Sequence, residues 1–299
     1  MGCARRDNGN PDILRATHPV YDESRMPAEA LQSHQRPGRR AHVLIALLAL
    51  ALVLFPFLFW YHTWFGRKLS DAQLDACFAD RARPRHIQHA LVQLGERVSR
   101  GQNAARWYPL VIAEAASPNL EIRQTAAWIM GQDRGYPPFH AGLLKLIHDP
   151  EAMVRRNAAL GLAAFGDGAA RGELVAMLRP FLVRAAVAGP LRYRLKLGDY
   201  VNPGTLLAHV GDGEVRSPAP GEVRTLRHKE GDVVAPGDAL AELSADQNHV
   251  WEALRALLVV GKTDDLDDVR RFTQPVPGLP EKMARQAALT VRAIQARGQ

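Results

Sequence analysis

Four textures of hydrophobic and polar positions follow one another along the chain. Residues 1–40 are polar, rich in Pro, Arg, Asp and Asn, with no sustained period, and read as a disordered tail. Val43 to Phe65 is almost wholly apolar. From Leu69 apolar positions recur at helical spacing, in short pieces divided by Pro, Gly and Asp-Pro. Between Val183 and Leu243 the pattern changes to short apolar runs cut by Gly-Asp and Pro-Gly, which marks strands and tight turns. Helical spacing then returns. The expected layout is a tail at 1–40, a transmembrane helix at 41–66, helical repeats at 69–180, a β region at 181–245 and closing helices at 246–299.

The apolar stretch carries no charge between Arg40 and Arg67. About 20 helical residues cross a hydrocarbon core of about 30 Å. Trp60, Tyr61 and Trp64 cluster at one end, where amphipathic rings favour a membrane boundary, and Pro56 would kink the helix. About 40 residues precede the run and no small-x-small site follows it, which argues against a cleaved signal peptide. The reading is therefore an uncleaved single-pass anchor of the inner membrane. The Arg-rich tail is expected in the cytoplasm and the bulk outside it, although basic residues on the two flanks nearly balance.

The helical part repeats itself. Pro118–Ala127 matches Pro150–Ala159 at an offset of 32, with Arg123 on Arg155 and the paired alanines coinciding. Met283–Leu289 repeats the pattern of Val154–Leu160, and Ile87–Leu91 is a fainter copy. A helical hairpin of about 30 residues cannot bury its apolar stripe alone, so such hairpins stack. Asp149-Pro150 supplies a cap and a first-turn proline. An ordinary helical bundle is the plain alternative. Leu143–Ile147 followed by Asp149–Ala163 resembles the HEAT repeat, in particular its short bacterial variety. That resemblance implies an α-solenoid in which Arg123, Asp149 and Arg155 stand where such repeats place polar ladders.

The β region contains a second repeat. Arg194–Ala208 matches Arg227–Ala241 at an offset of 33, pairing Gly198 with Gly231, Asp199 with Asp232 and Gly204 with Gly237. Two such halves can clasp into one small sandwich. Ser217–Val223 followed by Gly231–Leu243 resembles the biotinyl/lipoyl domain, a barrel-sandwich hybrid, whose carrier lysine lies on the hairpin joining the halves. Here that hairpin reads Val210, Gly211, Asp212, Gly213 and has no lysine; Lys196 and Lys229 stand at strand ends. The resemblance therefore implies the fold and argues against the covalent cofactor. The same fold without the lysine is similar to the core of membrane-fusion or periplasmic adaptor proteins. The long coiled-coil hairpin and later β-barrel of those proteins have no counterpart in this chain. The fold class expected is mixed: one transmembrane helix, a HEAT-like α-solenoid and an inserted lipoyl-like β-sandwich.

Composition narrows the chemistry further. Two cysteines, Cys3 and Cys77, exclude a disulfide scaffold and a Cys-rich zinc module. The net charge of +7 invites a nucleic-acid reading, but the arginines are spread along the chain and partly balanced by Asp264, Asp265, Asp267 and Asp268. Gly261-Lys262-Thr263 lacks the earlier glycine of a phosphate-binding loop, and Ala256 stands there. Asp212 and Glu214 read as a solvated turn, and the 11 histidines show no metal-ligand spacing. No catalytic, metal or cofactor residues are assigned, and no nucleic-acid partner is expected. The expectation is a membrane-anchored scaffold or adaptor that binds other proteins. A subunit of an envelope transport or secretion complex is one alternative, and a cofactor carrier or enzyme accessory is the alternative of another class. The sequence does not set the oligomeric state.

Overall fold

The computed structural model describes residues 39–62, 68–274 and 280–298. The chain divides into two units, 1–67 and 68–299. In the first, helix α1 (Arg39–His62) contains Pro56, and its side chains from Val43 to Leu58 are exposed throughout. Among the described residues no helix is long and apolar enough to cross a membrane. The expected transmembrane helix over 41–66 is thereby corrected, and with it the single-pass inner-membrane placement. Most of the tail, residues 1–38, lies outside the described residues, as do Trp64 and Arg67. Arg40, Trp60 and Tyr61 have their backbone in α1, and their side chains lie outside the described set.

The second unit is built from helical hairpins. In chain order the helices are α2 (Asp71–Ala79), α3 (Pro84–Ser99), α4 (Tyr108–Glu114), α5 (Leu120–Met130), α6 (Pro137–Leu146), α7 (Ala152–Ala164), α8 (Arg171–Met177), α9 (Gln247–Val260), α10 (Leu266–Arg270) and α11 (Glu281–Arg297). Local chemistry sets their starts. Ser70 and Gln73 form a capping box on α2, Asn119 caps α5, Asp246 caps α9, and prolines occupy the first turns of α3, α4 and α6. Each even-numbered helix packs on the odd-numbered helix after it, and α3, α5, α7, α9 and α11 pack on one another in that order. One apolar core runs through all of them from Leu69 to Ile294. Small residues set the spacing: a methyl added at Gly131, at the end of α5, would meet the Gly161 Cα of α7 at 2.9 Å.

Eight strands lie between α8 and α9: β1 (Phe181–Arg184), β2 (Gly189–Tyr193), β3 (Tyr200–Val201), β4 (Leu206–Val210), β5 (Gly213–Arg216), β6 (Gly221–Leu226), β7 (Val233–Val234) and β8 (Ala239–Leu243). They form two antiparallel sheets, ordered β1-β8-β6-β3 and β5-β4-β2-β7. Shifting residue numbers by about 33 carries one order onto the other, so the internal repeat is a pseudo-two-fold. The turns obey it too. Gly198 and Gly231 both have φ +87°, and Gly204 and Gly237 have +84° and +90°, a region that favours glycine. The Asp199 and Asp232 carboxylates accept the N–H groups of Lys196 and Lys229 at 2.9 and 2.8 Å. The sheets enclose their own core, in which Val201 and Val234, and Leu207 and Leu240, are two-fold mates. The strands that open and close the insert pair with each other, Phe181 on Leu243, so the chain enters and leaves the β region side by side.

Candidate functional site

Arg123 and Arg155 sit at the same place in α5 and α7. Arg123 donates from Nε and Nη2 to the Asp149 carboxylate at 2.7 and 3.1 Å, and from Nη1 to the carbonyls of Ser117 and Pro118 at 3.0 and 3.2 Å. Arg155 donates from Nε to Glu173 at 2.9 Å and from Nη1 to the carbonyls of Asp149 and Pro150 at 2.9 and 2.8 Å. Each guanidinium thus ties its own hairpin turn to an acid of the next hairpin. The Asp149 hydrogen bond holds Arg123 above its ordinary value. Burial raises the Asp149 carboxyl, but Arg123, the Glu151 N–H and neighbouring charge outweigh it and leave the group below the ordinary carboxylate range. This ladder is structural, and it holds the helices at fixed spacing.

The fixed helices leave a groove of about 520 Å³ across α5, α7 and α9. Trp128 and Leu160, with Val259, supply apolar walls; Gly131, Gly161 and Ala256 supply small residues; Gln132, Asn157, Glu252 and Arg255 add polar groups. Trp128 and Val259 are 37% and 52% exposed. The Trp128 ring lies against Gly95 of α3, where an added methyl would meet its Cζ3 at 2.0 Å. The lining follows the repeat. Trp128, Leu160 and Arg255 each fall nine residues after the N-cap of their helix, and Asn157 and Glu252 each fall six after it. Asn157 Nδ2 donates to the Gln124 carbonyl at 3.0 Å. Burial, with the charge of Asp246, pushes the Glu252 carboxyl up, and Arg255 offsets this only in part.

A polar joint, buried on its helical side and exposed at Tyr200, connects the β region to the helices. The Tyr200 hydroxyl of β3 donates to Asp246 at 2.7 Å, and Asp246 also accepts the N–H groups of Asn248 and His249. Arg156 of α7 donates to His249 Nδ1 at 2.9 Å. Elsewhere in the β region, the hairpin Val210–Gly213 between β4 and β5 turns through Gly211 at φ +57°. Glu214 pairs with Arg216, and among the described residues no group of three or more His, Cys, Asp or Glu could hold a metal ion. Gly261 ends α9 by donating to the Leu257 carbonyl, and the Ile294 side chain presses on it.

Arg123 and Arg155 stand out in the sequence because they repeat at an offset of 32. The groove does not stand out. At the offset of 32 that the sequence shows, the groove is marked by Trp128 opposite Leu160, and a large apolar residue at a repeat position is ordinarily taken as core. The family model described as HEAT repeats matches residues 108–191, which spans α4 to α8 and the first strands. No curated protein matches the chain. The matched region therefore carries HEAT repeats, a class whose stacked hairpins present extended surfaces to other proteins. The anchoring expected from 41–66 is withdrawn with the correction above, and the envelope-transport alternative loses the feature it leaned on.

Proposed function

We propose that this protein is a non-catalytic scaffold that binds another protein across the helical repeats, on the face formed by α5, α7 and α9. The observation that carries this reading is the open groove there, with Trp128 and Val259 left partly exposed beside the half-buried Asn157 and the exposed Gln132, Glu252 and Arg255. Exposed apolar positions grouped in a concavity mark interaction sites more often than chance packing. The β region is read as a lipoyl-like module that serves docking. The two-fold of its turns supports that fold, and the hairpin Val210–Gly213, with no lysine, supports a role without a covalent cofactor. A photo-crosslinking residue placed at Val259 in the source cells should give a discrete heavier adduct. The same residue at Leu144, an exposed position on α6, should give none. Equal yields at both positions, or no adduct from either, would overturn the reading. Intact mass of the purified chain should show no added biotinyl or lipoyl group, and finding one would replace the docking role with a carrier role.

A further inference from the structure

The β region is held to the helical array by little besides the chain itself. Among the described residues the hydrogen bonds and ion pairs of the strands stay within the β region except one, from the Tyr200 hydroxyl to Asp246 at 2.7 Å. No described strand packs along a helix, and the two cores are separate clusters. The covalent crossings are narrow as well. Arg179 is fixed to Asp268 and Phe181 pairs with Leu243, so on the way in only Pro180 lies between array and sheet. On the way out Ser244 bonds to Glu222 of β6, whereas Ala245 packs on the helical core. Two crossings side by side form a hinge, and a few such residues are enough to absorb a rotation.

The hinge closes on a polar cluster. Asp246 and Arg156 are buried, and the His249 side chain is 12% exposed. His249 faces Arg156 of α7, whose Nη1 donates to its Nδ1 at 2.9 Å, and Asp246 at 3.7 Å. Behind these stand Tyr200 of β3, Glu252 of α9 and Glu173 of α8, the last shared with Arg155 and 3.9 Å from Arg156 Nε. From α11, which also packs on α9, Lys282 turns to Trp251 instead. Arg156 Nε is buried with no hydrogen-bond partner among the described residues. A proton on His249 sets donor against donor and cation against cation in a site largely closed to water, and it competes with Tyr200 for Asp246. We infer that the β region is a hinged arm, latched to the array by Tyr200 on Asp246, and that a proton on His249 releases the latch. Burial and Arg156 keep the closed ring neutral down to about pH 4, whereas the opened, hydrated ring takes its proton near 6.5. Opening therefore takes up a proton between those values, and the ratio of open to closed chains rises up to about tenfold for each pH unit lost. The helices stay folded, because their core is complete without the strands.

Energy transfer between two fluorophores in single molecules of the full chain reads the position of the arm. The dyes go on Leu144→Cys in α6 and Val233→Cys in β7, both exposed, with Cys3→Ala so that the buried Cys77 is the one native cysteine left. At about pH 7 the chain should show one population, and below about pH 6.5 a second should grow by up to about tenfold per pH unit while helical circular dichroism holds steady. Tyr200→Phe, which removes the latch and keeps the ring, should show the second population already at about pH 7. His249→Gln should flatten the dependence on pH. A single population down to the pH at which the helical signal falls, in the natural chain and in Tyr200→Phe alike, overturns the hinge. Two populations whose ratio ignores pH, or follows it equally in His249→Gln, overturn the control by His249 and with it the proposal.

Discussion

Arg123 performs two tasks with one side chain. It closes the turn before its own helix and reaches the acid in the turn of the next hairpin, between α6 and α7. Its side chain is 14% exposed and that of Asp149 only 6%, so the pair is nearly dry. Removing one partner of such a pair strands the other charge, which costs more than the pair itself contributes. Arg123→Ala should therefore lower the free energy of unfolding by about 3 kcal/mol in urea titrations. Adding Asp149→Asn to that variant should cost less than the two single losses together, because the stranded charge disappears. The Asp149 carboxyl lies below its ordinary value, so its contribution is fully present above about pH 4 and is lost as pH falls through the lowered value. A double variant whose losses simply add would mean that the two groups are not coupled.

The elements α7, α9 and β3 meet at the joint made by Arg156, His249, Asp246 and Tyr200. Burial, followed by the charge of Arg156, pushes His249 down from 6.5 to about 4. The unfolded chain takes up a proton on this histidine near pH 6.5, while the folded chain resists until about pH 4. The stability it provides is thus complete above pH 6.5 and drains away as pH falls toward 4. Protonation also removes the Nδ1 lone pair that accepts from Arg156. Thermal melts between pH 7 and pH 4.5 should show a steep fall in Tm for the natural chain. His249→Gln, which can still accept that bond, should fall less over the same interval, and an equal fall in both would assign the pH sensitivity elsewhere. This joint was not legible in the sequence. Its members are brought together by the insertion, and Arg156 and His249 stand 93 positions apart with no periodic relation. The β turns were legible for the opposite reason, since Gly198 and Gly231 are dictated locally by a positive φ that other residues avoid. The apolar stretch 43–65 misled at the same scale. Its composition suits a membrane span, yet no described helix meets the length and apolarity required.

In the whole molecule, the fourth hairpin is made of α8 and α9, which are neighbours in space although the β region separates them in sequence. The ties across that gap are ionic. Arg171 grips Asp265 through Nε and Nη2 at 2.8 and 2.9 Å, and Arg179 grips Asp268 at 2.9 and 2.6 Å, so α8 is fixed to the turn beyond α9 and to α10. The repeat pattern hides this hairpin. Val250 of α9 stands four residues after its N-cap, where α5 and α7 carry Arg123 and Arg155, so the most distinctive side chain is missing just where the chain rejoins the array. Asp264, Asp265, Asp267 and Asp268 enter the sequence reading only as a partial balance to the arginines, whereas Asp265 and Asp268 are buried and paired with Arg171 and Arg179. The helical core and the sheet core are also separate clusters, which leaves the array closed without the insert. Phe181 and Leu243 pair across an antiparallel ladder, so their Cα atoms lie about 5 Å apart. A Gly/Ser linker of about two to four residues should bridge them when Leu182–Glu242 is removed. The shortened chain should keep its helical circular dichroism and unfold in one transition, at a lower Tm because the Tyr200 bond to Asp246 is gone. Loss of the helical signal, or unfolding in two steps, would mean instead that the β region holds the two ends of the array together.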